Sequence, residues 1–255
     1  MKLRSFVAVA AVFLLQAFAA KAAEINVLSA GGIRPPLEAL IPEFERSSGH
    51  KVAIKFMGGP AVKTEIDKGA PFDVAVSTSN VMDELVKGGK LVAATRTELA
   101  RAGVGVAVRA GAPKPDISSP DALKRALLNA KSVAYAKDGT AGMHFHSVLQ
   151  RLGISKQMEP KLQLTAAANP SDGAMTRVAR GDAEMGVAAV ATLFTPGVDF
   201  VGPLPAELQT YIHFSAAIGS AAKEPQAADA LMRFLTAAPA VPAYKAKGME
   251  PVPQR

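Results

Sequence analysis

Three turns bring glycine to the start of a helical pattern: Ser29-Ala30-Gly31-Gly32, Met57-Gly58-Gly59-Pro60 and Asp138-Gly139-Thr140-Ala141-Gly142. A fourth, Ala168-Asn169-Pro170-Ser171-Asp172-Gly173, also opens a helix. The first N–H groups of a helix lack partners within it and lie at the positive end of its dipole. Glycine lets a ligand approach that backbone closely. Several such turns meeting at one cleft would hold an anion without any lysine. Arg34 stands in the first turn of the helix after the first of them, stiffened by Pro35-Pro36. A cation opposes the dipole there, so it wants an anion beside it, such as a carboxylate gripped bidentately. His144 and His146 flank Phe145 near the start of another helix. Two residues apart, they lie on different faces and do not form a metal pair. His144, nearer the helix N-terminus, is the candidate to face the cleft. Each feature has a plainer reading: an ordinary βα turn, a solvated arginine, a packed histidine. The set as a whole points to an anion site.

Other chemistries are absent from the sequence. No turn reads as a Walker A loop, and Ala30-Gly31-Gly32 is not the dinucleotide fingerprint. There is no G-x-S-x-G elbow and no H-E-x-x-H. The chain has no cysteine and only four histidines, which excludes disulfides and thiolate sites and leaves no metal or cofactor to expect. With 49% hydrophobic and 20% charged residues over 255 positions, it has material for a sizeable core.

The N-terminus reads as an address. Lys2 and Arg4 precede an apolar run over 6–15, and Ala20-Lys21-Ala22 fits a small-x-small cleavage pattern. Residues 1–23 are thus expected to be a secretory signal, cut near Ala22 or Ala23 and leading to the periplasm. Its removal takes Lys2, Arg4 and Lys21 and lowers the formal charge from +7 to +4. That mild excess is no nucleic-acid footprint. No later apolar run reaches the ~20 residues of a membrane span, so no stable membrane insertion is expected.

The elements that would position these residues alternate. Strands are expected at 25–29, 52–56 and 72–77, with helices at 37–46, 62–68 and 82–87. A strand at 104–109 follows, then a proline-bearing loop at 110–119 and a helix at 121–129, with Ser119 as N-cap and Pro120 at its first position. Strands at 132–136, 162–165, 185–190 and 212–220 alternate with helices at 142–152 and 171–180; 200–201 is a short edge strand. Helices at 225–237 and 239–247 end the chain. This order gives an α/β fold with mainly parallel sheets. The expected organisation is two lobes, 24–105 plus 213–255 and 106–212. The return segment is too short to fold alone, and 104–109 beside 212–220 would form a two-strand hinge. Asp73, at the start of a strand, reads as structural.

Gly69-Ala70-Pro71-Phe72-Asp73-Val74, followed by Ser77 and Met82-Asp83, resembles a segment of the periplasmic molybdate-binding family of type II solute-binding proteins. Gly139-Thr140-Ala141-Gly142, Leu149-x-x-Leu152-Gly153, Pro160-Lys161-Leu162, Gly173-Ala174-Met175, Val178, Arg180 and Gly186-Val187 continue the register across nearly the whole mature chain. The resemblance implies two lobes closing on an anion, and delivery to the membrane subunits of an ABC transporter. It also implies serine and tyrosine ligands that are missing here. The first serine falls at Gly31 or Gly32, the second at Gly58 or Gly59, and the tyrosine at Ala189. A small residue is kept as Ala141, and a valine falls at Ser171. Fewer donors weaken a tetrahedral oxyanion, and smaller side chains are expected to widen the pocket.

Two functions follow. The first is a periplasmic, monomeric solute-binding protein for a small anion. That anion is an oxyanion of the molybdate type or, given the lost hydroxyls, an organic polycarboxylate. The expected ligand-binding set is Ala30, Gly31, Gly32, Arg34, Gly58, Gly59, Thr140, Ala141, Gly142, Ser171 and Ala189. The alternative is a periplasmic isomerase of a tricarboxylate such as aconitate, acting by allylic proton transfer, with His144 (or His146) as base and Arg34 as clamp.

Overall fold

The computed structural model describes residues 22–167 and 169–252, so the expected signal lies almost wholly outside the described residues. The first elements are β1 (Glu24–Ala30), α1 (Arg34–Ser48), β2 (Lys51–Met57), α2 (Gly59–Asp67), β3 (Val74–Thr78) and α3 (Ser79–Lys87). β1 lies between β2 and β3, parallel to both. Every residue of β3 is buried, as a strand covered on both faces requires. α1 opens three residues before its apolar stripe. Pro35 and Pro36 occupy its first turn, where a helix needs no backbone N–H.

The rest comprises β4 (Thr97–Arg109), α4 (Pro120–Asn129), β5 (Val133–Ala136), α5 (Thr140–Arg151), α6 (Ser155–Met158), β6 (Leu162–Thr165), α7 (Ala174–Arg180), β7 (Met185–Ala189), β8 (Val198–Pro203), β9 (Tyr211–Ile218), α8 (Pro225–Thr236), α9 (Val241–Lys245) and β10 (Glu250–Pro251). The strand order is β2-β1-β3-β9-β4-β7-β5-β6. Each side keeps a parallel trio, β2-β1-β3 or β7-β5-β6. β9 and β4 join the trios through antiparallel pairings.

The hinge strands differ from the expectation. β4 starts at Thr97, and its residues 97–103 pair with β9. Residues 104–109 instead pair with β7 and β8. Glu98 and Arg101 interrupt the apolar run, which hid this half of the strand. The edge strand expected at 200–201 extends over β8. The last helix shortens to α9, after a 3-10 turn over Ala238–Ala240.

The C-terminal helices pack against α1. Phe44 meets Phe234 with ring centroids 5.5 Å apart. Tyr244 is buried and donates to the Leu235 carbonyl at 3.1 Å; burial pushes its phenol pKa up. Asp73 is 1% exposed. Its carboxylate accepts the N–H of Asn26 at 2.8 Å and those of Lys223 and Glu224 at 2.7 and 3.0 Å. It thereby ties β1 to the N-terminus of α8.

Candidate functional site

Five strands of the two parallel trios end at one place. Ala30 ends β1, Met57 β2, Ala136 β5, Thr165 β6 and Ala189 β7, and all five line a single cavity of ≈ 280 Å³. Ligands of open parallel sheets bind beyond these carboxyl ends. The turns that follow line it too: Gly31, Gly32, Gly58, Gly59, Thr140, Ala141 and Gly142.

Three helices of eight or more residues, α1, α2 and α5, begin at these turns, and none has a side-chain cap. α4, which begins elsewhere, is capped by Ser119, whose Oγ accepts the Ala122 N–H at 3.2 Å. Likewise the N-terminus of α8 receives the Asp73 carboxylate. α5 offers an anion the N–H groups of Thr140, Ala141 and Gly142, and α2 that of Gly59; α1 offers none, because the Arg34 N–H bonds the Gly31 carbonyl and Pro35 and Pro36 carry no N–H.

Arg34 is the first residue of α1 and lines the cavity. Its guanidinium carbon lies 4.5 Å from the Phe56 ring centroid, a cation–π contact that holds the side chain without neutralising it. Its Nε is buried and has no partner among the described residues. An unpartnered buried donor is costly, and a ligand acceptor would remove that cost. One turn further, Glu38 also lines the cavity. Among the described residues, it and Arg34 are the only lining residues with ionisable side chains.

At Gly32, Gly58 and Gly59 neighbours take up the space a side chain would fill, whereas a Cβ on Gly31 would meet only ordinary contacts at 3.4 and 3.5 Å. A Cβ on Gly32 would lie 2.8 Å from Phe214 Cζ, and one on Gly59 would lie 2.8 Å from Thr140 Oγ1. A Cβ on Gly58 would lie 2.5 Å from the Asp138 carbonyl oxygen. Glycine at 58 and 59 lets the start of α2 approach the start of α5 across the cavity.

Two expected residues do not line it. His144 lies one turn into α5, and its Nε2 donates to the Leu208 carbonyl at 2.8 Å. Arg151, on the same helix, donates to the neighbouring Glu207 carbonyl, so this face of α5 anchors the chain entering β9. His146 is exposed. Ser171 lies in a 3-10 turn before α7, which starts at Ala174, and donates to Asn169 Oδ1 at 2.8 Å. Asn169 and Gly173, on either side of that turn, do line the cavity.

Glu38, Thr165 and Phe214 also line the cavity and lie outside the residues marked by the sequence. Glu38 follows Arg34 by one helical turn, and Thr165 ends a parallel strand; both signals could have found them. Phe214 enters from β9, distant in sequence from every glycine turn.

Two α/β lobes around an anion-friendly cavity at the ends of their parallel strands make the two-lobed periplasmic binding fold of type II. A family model described as bacterial extracellular solute-binding protein matches residues 25–250, and the chain belongs to that family. Among its relatives, an aconitate isomerase of Pseudomonas sp is 34% identical over 236 residues, covering 90% of this chain and 88% of the relative. The molybdate-binding protein ModA of Azotobacter vinelandii is 31% identical over 239 residues, covering 92% of each. The solved Azotobacter vinelandii periplasmic molybdate-binding protein superposes with a TM-score of 0.75 at 23% identity, covering 90% of this chain and 100% of that one. No helix among the described residues is long and apolar enough to cross a membrane.

Proposed function

We propose that this chain is a periplasmic solute-binding protein that captures an organic polycarboxylate between two lobes, 24–105 plus 213–255 and 106–212. It would act as a monomer, after cleavage of its signal near Ala22 or Ala23, and present the solute to an ABC transporter. The observation that carries this reading is the unpartnered Arg34 Nε of a cavity onto which the uncapped starts of α2 and α5 also open. A guanidinium matches the planar fork of a carboxylate. The positions where the molybdate-binding resemblance expects hydroxyls carry glycine and alanine, which favours a carboxylate over a tetrahedral oxyanion. Titration calorimetry with citrate, aconitate, succinate and molybdate tests this. A polycarboxylate should bind and molybdate should bind weakly. Submicromolar molybdate binding would overturn the reading.

The 34% identical aconitate isomerase supports a second reading, an isomerase of a tricarboxylate. The carbanion-forming step needs a base within reach of the ligand. His144 is bonded to Leu208, so Glu38, the carboxylate that lines the cavity, takes its place. Glu38 would take a proton from the ligand's methylene carbon and return it to the far allylic carbon as the double bond shifts. Product analysis after incubation with cis- or trans-aconitate decides between capture and turnover.

A further inference from the structure

Thr165 ends β6 and is 4% exposed, yet it lines the cavity. Its main chain is in use: the carbonyl accepts the Lys137 N–H at 3.0 Å. Its Oγ1 is buried without a partner among the described residues. Two other threonines of the cavity differ. Thr192 donates its hydroxyl to the Ala189 carbonyl and Thr195 to the Thr192 carbonyl, each at 2.8 Å. The lining beside Thr165 is Ala136, Ala166, Ala167 and Met175, whose side chains can accept no ordinary hydrogen bond. A buried hydroxyl with no partner destabilises the free protein.

Arg34 Nε is the matching orphan on the wall built by α1. Much of the remaining lining is apolar, with Met175, Val187, Ile212 and Phe214. A volume of ≈ 280 Å³ holds about nine water-sized groups, more than a five-atom oxyanion fills. We infer that Thr165 is a second, specificity-determining anchor, and that the ligand is an acid with two or more carboxylates on a short hydrocarbon frame, one at Arg34 and another at Thr165. This rests on the polycarboxylate reading and narrows it: a monocarboxylate satisfies one orphan only.

The test uses the whole mature protein with T165V and T165S. Valine keeps the shape and deletes the hydroxyl. Ligand-free T165V should melt at or above wild type, because an unsatisfied buried group is gone. Its affinity for citrate or succinate should fall about 10-fold, the loss of one hydrogen bond to a charged group. Its affinity for propionate should stay within about 2-fold, and T165S should recover most of the citrate loss. If wild type binds no polycarboxylate, the underlying reading fails. If wild type binds citrate and T165V binds it equally, only this inference fails. An equal loss for propionate would place Thr165 and Arg34 on the same carboxylate and overturn the two-point claim. T165V melting below wild type would give the hydroxyl a structural role and overturn it as well.

Discussion

On the wall formed by α1 and α2, the cavity meets an arginine, a glutamate and two pairs of glycines. On the opposite wall, formed by α5, β6 and the turn after β7, it meets threonines and, among the described residues, no charge. The first wall supplies Coulomb attraction, which is strong and tolerant of geometry; the second supplies hydroxyls, which are weaker but directional. On the proposed reading, such a division would let one lobe collect an anion and the other test its shape on closure. The two walls should therefore respond differently to substitution.

The largest effect belongs to the charged wall. If Arg34 grips a ligand carboxylate as proposed, Arg34→Ala would remove a charge-assisted, bidentate contact, and affinity for a polycarboxylate should fall by about 2–4 kcal/mol, or ~30- to 1,000-fold. Folding should change little. The cation already opposes the α1 dipole, and its described contact is the face of Phe56. Arg34→Lys should restore part of the loss, since an ammonium cannot form the planar fork. Equal affinities in calorimetry would remove Arg34 from the site.

The next effect lies where the walls meet. Gly58 has φ −60 and ψ 145, which alanine adopts without strain. Its Cβ would nevertheless press on the Asp138 carbonyl across the cavity. Gly58→Ala should oppose closure by about 1–3 kcal/mol, a ~5- to 150-fold loss of affinity, with little change in ligand-free melting. Unchanged affinity would mean that ligand capture does not need this approach.

Glu38 sharpens the contrast, because two quantities should move in opposite directions. Glu38→Gln deletes a negative charge at the rim of an anion site. Polycarboxylate binding should tighten about 2- to 3-fold, more at low salt. If the chain turns aconitate over, the same variant should lose most of that turnover, while His144→Gln keeps it. Turnover that survives in Glu38→Gln and vanishes in His144→Gln would restore the histidine as base.

The sequence marks Arg34 and the glycine turns of both walls and leaves Glu38, Thr165 and Phe214 unmarked, for a physical reason. Glycine turns and a cation at a helix start break local rules, and such breaks are visible in one dimension. Asp73 was legible in the same way, as a carboxylate fixed inside a motif. Thr165 and Phe214 break no local rule: each suits a strand. They matter through what lies across the cavity from them. For the same cause, nothing near Gly32 in the chain announces that Phe214 fills its space. β4 was half seen because Glu98 and Arg101 broke its alternation.

The smallest effect should come from behind the neutral wall. Asp172 lies in the turn between Asn169 and Gly173, and Arg177 reaches its carboxylate through Nε at 2.9 Å and Nη2 at 2.5 Å. Arg180 adds a third contact at 3.1 Å. The Arg177 hydrogen bonds hold the Asp172 carboxyl below the usual range, and Arg180 adds to the shift. A carboxylate with a lowered folded-state pKa contributes stability above its unfolded value, about 3.9, and loses it as pH falls through the folded value. The group is 42% exposed, so solvent screens the pair. Asp172→Asn should therefore lower the melting temperature by only about 1–2 °C at neutral pH. The gap from wild type should begin to narrow as pH falls below about 3.9 and close only as it falls through the lowered folded value, where the wild-type carboxyl also becomes neutral. Melting curves of both proteins between pH 2.5 and 7 read this directly, and citrate affinity at pH 7 should shift by less than about 3-fold. A gap that persists at low pH would assign the effect to the shape of the turn rather than to its charge. A citrate loss as large as that of Arg34→Ala would place the decisive electrostatics on the neutral wall and break the division between the two.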